Sequence, residues 1–145
     1  MATSTLLNYL ETGSSNEVMN RRQVETFIAG EAITANDFVA LDFSQSSDAD
    51  KALYVMKAGT ADTATTMCVG VALATVASGA KVDVVVKGVC EANVAGDTAA
   101  GEFLIITGTD GQAGKATDNT LLPMVACACE ADAANVATVI VIKQF

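Results

Sequence analysis

The residues in this sequence best placed to do chemistry are its acids, its thiols and one glycine-rich loop, because histidine is absent. Without imidazole the commonest general base and metal ligand is missing. No serine can therefore be activated by a histidine partner, and no G-x-S-x-G elbow occurs. Asp42, Asp48 and Asp50 could serve a calcium ion, but the D-x-[DN]-x-[DN]-G pattern of a calcium loop is not present, and a solvated loop accounts for them. Gly108-Thr109-Asp110-Gly111 with Gly114-Lys115 has the flavour of a phosphate loop, yet Ala116 stands where that loop needs Ser or Thr. A hairpin connection explains the stretch better. Glu130 and Asp132 form a carboxylate pair with no evident partner. Cys68, Cys90, Cys127 and Cys129 are even in number, but no secretory signal precedes them. Cys127 and Cys129 are two apart, not three as in a zinc knuckle, so buried free thiols acting as small hydrophobes are expected, with a disulfide or metal site as the alternative. These patterns assign no catalytic, cofactor-binding or metal-ligating residue.

The elements that would have to position any site are strands. Met67 to Val76 and Lys81 to Val89 read as strand, turn and strand, with Gly79 supplying the turn and Val82, Val84 and Val86 alternating with more polar neighbours. Gln23 to Ala29 alternates in the same way. Phe38 to Phe43, Ala52 to Lys57, Phe103 to Thr107, Met124 to Cys129 and Asn135 to Lys143 complete the set, giving about eight or nine short strands. Ser44 to Asp50, Ala58 to Thr66 and Gly108 to Asn119 read as loops, the second with a helical turn starting at Thr60 or Asp62. Glu91 to Glu102 bends the chain, and Pro123 suits a strand start or an edge. Close strand spacing with turn signals predicts an all-β fold, a single compact barrel or sandwich.

Two echoes along the chain point to an internal duplication, with chance matches among the common Ala and Val residues as the alternative. Val69 to Lys87 overlays Val125 to Lys143 without a gap, matching Val69/Val125, Ala72/Ala128, Val85/Val141 and Lys87/Lys143. Upstream, Ala35 to Leu41 echoes Ala100 to Ile106, each with a strand opening on Phe.

Composition bounds the function. The 145 residues suffice for one domain with a real core. Apolar residues make up 51% but aromatics only 5%, so Ala and Val build thin, closely packed layers rather than a large cavity. Charged residues are only 17%, which favours an oligomer or assembly component over a solitary molecule. A net charge of −9 opposes nucleic-acid binding, and Arg21-Arg22 is the only basic pair. The uncharged run Thr63 to Ala80 is too diluted by Thr, Ser and Gly for a membrane span. Residues 1–22 read as an N-terminal arm preceding a β domain over 23–145, and the arm either orders on a partner or stays disordered. Its apolar Leu6, Leu7, Tyr9 and Leu10, with the basic Arg21 and Arg22, are the candidate partner-contact residues.

With these residues laid out, the chain resembles a family of small tailed-phage head proteins, the capsid cement or decoration proteins once grouped as a domain of unknown function. Gly70-Val71-Ala72-Leu73, then Gly79-Ala80-Lys81-Val82-Asp83-Val84 and Gly88-Val89, carry the resemblance, with Ala95-Gly96-Asp97 and Ala100-Gly101-Glu102-Phe103-Leu104. Gly30 to Leu41 is similar to the family's opening turn and strand, and coverage runs roughly over residues 24 to 142. The resemblance implies a non-enzymatic virion protein without cofactors. Made in the host cytoplasm, it would bind the outside of the expanded shell, often as a trimer, with the major capsid protein as partner. Alternatives are a tail-tube, head-completion or fibre-base subunit, or a small-ligand-binding β module lined by Tyr9, Tyr54 and the Phe residues.

Overall fold

The computed structural model describes residues 22–59, 67–107, 109–116 and 124–142. Nine strands and one short helix follow in order: β1 Gln23–Ala29, β2 Phe38–Leu41, α1 Asp48–Leu53, β3 Tyr54–Lys57, β4 Cys68–Ala72, β5 Lys81–Asn93, β6 Phe103–Ile106, β7 Ala113–Lys115, β8 Ala126–Ala128 and β9 Val136–Val141. The all-β expectation holds, and the open choice between barrel and sandwich resolves to a barrel. The pairing order is β1-β3-β2-β4-β5-β9-β8-β6-β7, and β1 also pairs with β5, so the first five strands close on themselves. Closure removes the sheet edges that would otherwise template association. Phe27, Ala29, Val39, Val55, Val82, Val84 and Val86 fill this barrel. Period-two alternation along each strand puts every second residue inside.

The second half repeats the plan. β3-β2-β4-β5 has its counterpart in β7-β6-β8-β9, and the registers agree. Val39↔Lys57, Ala40↔Met56 and Leu41↔Val55 correspond to Leu104↔Lys115, Ile105↔Gly114 and Ile106↔Ala113. Phe38↔Val71 corresponds to Phe103↔Cys127. The last part of β5 plays the role of β1, and the parallel contact Ala29↔Val55 reappears as the single bridge Val94↔Ala113, which closes the second unit. Turn hydrogen bonds repeat as well. The Ala72 N–H donates to the Asp37 carbonyl at 2.9 Å, and the Ala128 N–H to the Glu102 carbonyl at 2.9 Å. The Thr34 N–H donates to the Asp37 carboxylate and the Ala99 N–H to the Glu102 carboxylate. Asn36 (φ 72°) and Gly101 (φ 84°) occupy the same left-handed turn position.

The gapless overlay of the two hairpins needs one correction. Val71 pairs with Val85, but its counterpart Cys127 pairs with Ile140 and not with Val141. The connection over residues 129–135 is one residue shorter than that over 73–80. A slip of one residue exchanges the two faces of a strand, so Val84 and Val86 correspond to the buried Val139 and Val141, while Val85 corresponds to Ile140 and Lys87 to Ile142.

Three further expectations are corrected. The third strand begins at Tyr54, because Ser47 caps a helix over what was expected to be loop and strand: its hydroxyl accepts from the Asp50 N–H at 3.1 Å, with Asp48 and Asp50 in the first turn. The strand starting at Lys81 runs on to Asn93 rather than stopping at Val89. The polar stretch after Gly108 contains β7. The expected turn at Thr60 or Asp62 and the placement of Pro123 lie outside the described residues.

β5 serves both units. Up to Lys87 it pairs with β1 and β4, and from Gly88 to Asn93 it pairs with β9. Gly88 has φ 108°, a conformation that a side chain resists, and marks where the strand passes from one unit to the other. The two units share a second buried cluster joining Phe38, Ala40, Val71 and Val85 to Val94, Leu104, Val125 and Val139.

Candidate partner-binding surface

On the outside of the first unit, Phe38, Val71, Val85 and Val24 stand side by side across four strands. On the second, Phe103, Cys127, Ile140 and Val89 form the corresponding row. Their fates differ. Phe38, Val71 and Val85 are 0% exposed because the second unit covers them. The β6–β7 turn lies there: the Phe38 N–H donates to the Gly111 carbonyl at 2.9 Å, and the Gly111 N–H to the Ala58 carbonyl at 2.8 Å. Phe103 is 50% and Ile140 45% exposed, with Cys127 and Val89 half-buried between them. Ile142 adds further exposed apolar surface on the same strand face. A contiguous exposed apolar row is a candidate interaction site.

The covered row is fastened by a buried carboxylate. Asp37 is 6% exposed and accepts from the Thr34 N–H at 2.9 Å and from Asn93 Nδ2 at 2.8 Å, while Lys57 Nζ lies 3.9 Å away. The Asn93 N–H also donates to the Asn36 carbonyl. Gly111 (φ 78°) packs on this carboxylate so closely that a Cβ would lie 2.7 Å from it. Asp37 thus joins the first β-turn and β5 by hydrogen bonds and β3 by an ion pair at the junction of the units. It serves structure, since every partner is part of the fold and no described buried side-chain N or O atom lacks a hydrogen-bond partner.

Asp42, Asp48, Asp50 and Glu130 are also held locally. Asp42, 6% exposed, accepts from the Ser44 N–H at 3.0 Å, from the Ser44 hydroxyl and from Gln45 Nε2 at 2.7 Å. Burial pushes its pKa up, but the hydrogen bonds from the Ser44 hydroxyl, the Gln45 amide and the Ser44 N–H together outweigh it, so the net shift is downward. A carboxyl depressed on folding contributes stability that is present above its unfolded value and lost as pH falls through its folded one. Stability should therefore fall through the acid range, below the ordinary carboxylate value of 3.8. Asp42→Asn should lower stability by about 1–2 kcal/mol at neutral pH and flatten that decline. Denaturant midpoints across the acid range test this, and parallel declines in the two proteins would contradict it. Asp48 pairs with Lys51 at 3.0 Å and Asp50 accepts from Ser47, so neither converges with Asp42 on a cation site. The exposed Glu130 accepts from the Thr138 hydroxyl at 2.6 Å and its N–H at 3.0 Å, which lowers its pKa. Asp110 and Gly111 belong to the β6–β7 turn, the hairpin connection expected of that stretch.

The cysteines divide. Cys68 and Cys90 are buried, and burial pushes both thiols up to about 12, Arg22 lowering that of Cys90 by a smaller amount. They remain protonated hydrophobes at neutral pH, as expected. Cys127 is half-buried and Cys129 exposed, which departs from the expectation of four buried thiols: Cys127 faces outward on β8, and Cys129 lies beyond the end of that strand. All four are free. Among the described residues no group of acids and cysteines could hold a metal ion, and no helix is long and apolar enough to cross a membrane.

Of the candidate contact residues, Leu6, Leu7, Tyr9, Leu10 and Arg21 lie outside the described residues, and Arg22 stands half-buried immediately before β1. Sequence reasoning missed the row Phe103–Cys127–Ile140. The signal available was the echo of Phe38 in Phe103 together with the outward parity of Cys127, but the one-residue slip hid Ile140.

Comparison with known proteins agrees with this architecture. No curated protein matches the chain. Among solved structures, the head fiber gp8.5 N base in bacteriophage phi29 superposes with a TM-score of 0.57 at 21% identity, covering 83% of this chain and 94% of that one. At that identity the likeness concerns the fold. Residues 19–143 match the phage cement proteins as a family, a span that takes in both barrel units and the strand they share. The chain therefore belongs to the phage cement protein family.

Proposed function

We infer that this chain is a structural virion protein that binds the outer surface of a phage capsid and reinforces the shell without catalysing a reaction. The family match over residues 19–143 carries this reading. The buried Asp37 and Asp42 carboxylates and the buried Cys68 and Cys90 thiols, each held in a structural role, support its non-enzymatic part. The major capsid protein is the partner, and three copies of the chain act together. A protein that binds only the assembled lattice stabilises it by its binding free energy, and several linked attachments multiply the effect. Residues 1–22 form the arm and 23–145 the barrel domain, with Leu6, Leu7, Tyr9, Leu10, Arg21 and Arg22 on the capsid. An arm that orders on binding reaches a larger surface than a compact barrel alone.

Deleting residues 1–20 should weaken binding to expanded capsids at least about tenfold, equivalent to about 1.4 kcal/mol, while the circular-dichroism spectrum of the barrel is retained. Unchanged binding would remove the arm from this reading. Failure of the full chain to bind expanded capsids at all would overturn the function itself. A second reading, a base for a head fibre, draws on the fold shared with the phi29 protein. Electron microscopy of labelled virions separates the two, since a cement covers the lattice and a fibre base sits at the foot of each fibre.

A further inference from the structure

The open row ends where the chain enters the described fold. β1 runs antiparallel to β5, and the pair nearest its start is Gln23↔Lys87. Antiparallel pairing directs the chain before Gln23 along β5 towards Gly88 and Val89. Burial raises the Cys90 thiol and the Arg22 charge lowers it, which places Arg22 on that course. Val89 is one end of the row: it stands opposite Ile140, and the row continues through Cys127 to Phe103. Residues 1–21 therefore join the described fold beside the Val89 end of the row.

Those residues carry an apolar group able to cover it. Leu6, Leu7, Tyr9 and Leu10 put four apolar side chains within five positions. The row crosses four strands, a distance of about 14 Å. Leu10 stands 12 residues before Arg22, and an extended chain of that length reaches about 40 Å. A second copy is the poorer occupant, because each copy carries a net charge of −9 and repels the next. Tethering instead makes the contact of a chain with its own row intramolecular.

We propose that in the free protein the segment Leu6 to Leu10 docks on the Phe103–Cys127–Ile140 row of its own chain. The docked segment takes the row out of water and keeps its own leucines off other surfaces. The proposal deepens the proposed function and rests on it in one respect: the residues assigned to the capsid are held on the row until a capsid offers a surface that binds them more tightly. Capsid affinity is then reduced by the fraction of chains whose arm is docked.

The test reads Cys127, in the middle of the row, in the free full-length chain. Cys129→Ser removes the exposed thiol, and Cys68 and Cys90 are buried, so maleimide labelling then reports Cys127. Adding Leu6→Ser, Leu7→Ser and Leu10→Ser to that background should speed labelling about tenfold or more, the factor that about 1.4 kcal/mol of docking free energy gives. The ratio should not change with protein concentration. As a second measurement, Leu7→Cys in the same background should, on mild oxidation, give a disulfide to Cys127 within one chain, located by peptide mass spectrometry. Equal labelling rates with and without the leucines, or no cross-link to Cys127, would overturn the proposal. Protection that disappears on dilution, or a cross-link between two chains, would assign the row to a second copy's arm and overturn it as well. Capsid binding is measured separately. Phe103 is 50% and Ile140 45% exposed, so Phe103→Ser with Ile140→Thr should keep the native circular-dichroism spectrum. That variant should bind expanded capsids more tightly than the parent, because its arm is free. Weaker binding would assign the row to the shell protein and overturn the docking. A chain that binds no capsid at all would overturn the proposed function, while the Cys127 labelling rates decide the docking by themselves.

Discussion

Gly70→Ala should lower stability by about 3 kcal/mol or more, the upper range for a side chain forced into filled space. A Cβ at this position would lie 2.0 Å from the Val85 carbonyl oxygen and 2.8 Å from its carbon, and backbone cannot swing aside as the tip of a flexible chain can. Gly70 sits where β4 shifts register against β2, between the pairs Val39↔Gly70 and Ala40↔Cys68. The irregularity lets β4 bring Val69 and Ala72 into the barrel while Cys68 and Val71 face the second unit. Gly79→Ala is the control. Gly79 has φ 82° but nothing within 4 Å of where its Cβ would be. That variant should lose only the left-handed conformational preference, about 1–2 kcal/mol. Urea midpoints for the two variants separate close approach from backbone preference. A Gly70→Ala protein within about 1 kcal/mol of wild type, below the usual range for overpacking, would mean that β4 and β5 lie further apart than described.

Phe38→Ala and Phe103→Ala should differ widely although the two residues hold the same place in the repeat. Phe38 is 0% exposed at the junction of the units, and its removal leaves a cavity between them; about 3–5 kcal/mol is expected. Phe103 is 50% exposed, and its truncation should change the stability of the isolated, monomeric chain by less than about 1 kcal/mol. Equilibrium unfolding at low protein concentration reads both. Equal losses would mean that the rows are equivalent in environment, and that the second unit does not cover the first as the buried cluster requires.

Much of this architecture was legible in the sequence because it depends on local alternation. Gln23 to Ala29 was bounded from its period-two pattern, and the start of β2 from the turn before Phe38. The overlay of Val69 to Lys87 on Val125 to Lys143 exposed the repeat that the strand registers bear out, Val71 and Cys127 taking equivalent places. What the overlay could not provide was the one-residue difference in hairpin length, since Val85/Val141 and Lys87/Lys143 coincide by identity while their pairing partners do not. The helix was hidden because its six residues, none of them buried, show no apolar face; only the Ser47–Asp50 cap announces it. β7 was hidden because Ala113-Gly114-Lys115 has no β-branched residue, and its pairing with β6 makes it a strand. The open row was hidden for a different reason. Phe38 and Phe103 begin matching strands, and nothing local separates the buried one from the exposed one. The difference arises only once a second barrel lies against one of them.

The strand shared across Gly88 has a consequence for how the molecule is made. All five strands of the first barrel have been synthesised once the chain has been translated to Lys87, and a nascent domain of this kind can fold while synthesis continues. The residues from Gly88 to Asn93 then extend from a finished barrel with their β9 ladder unoccupied until Val136 to Val141 arrives. During that interval the growing polypeptide carries its own template for the second barrel, and the same template is open to a neighbouring ribosome's product. Where β5 leaves the first barrel is thus an unpaired strand edge until β9 is made, and an open edge of that kind is a place where two nascent chains can exchange strands.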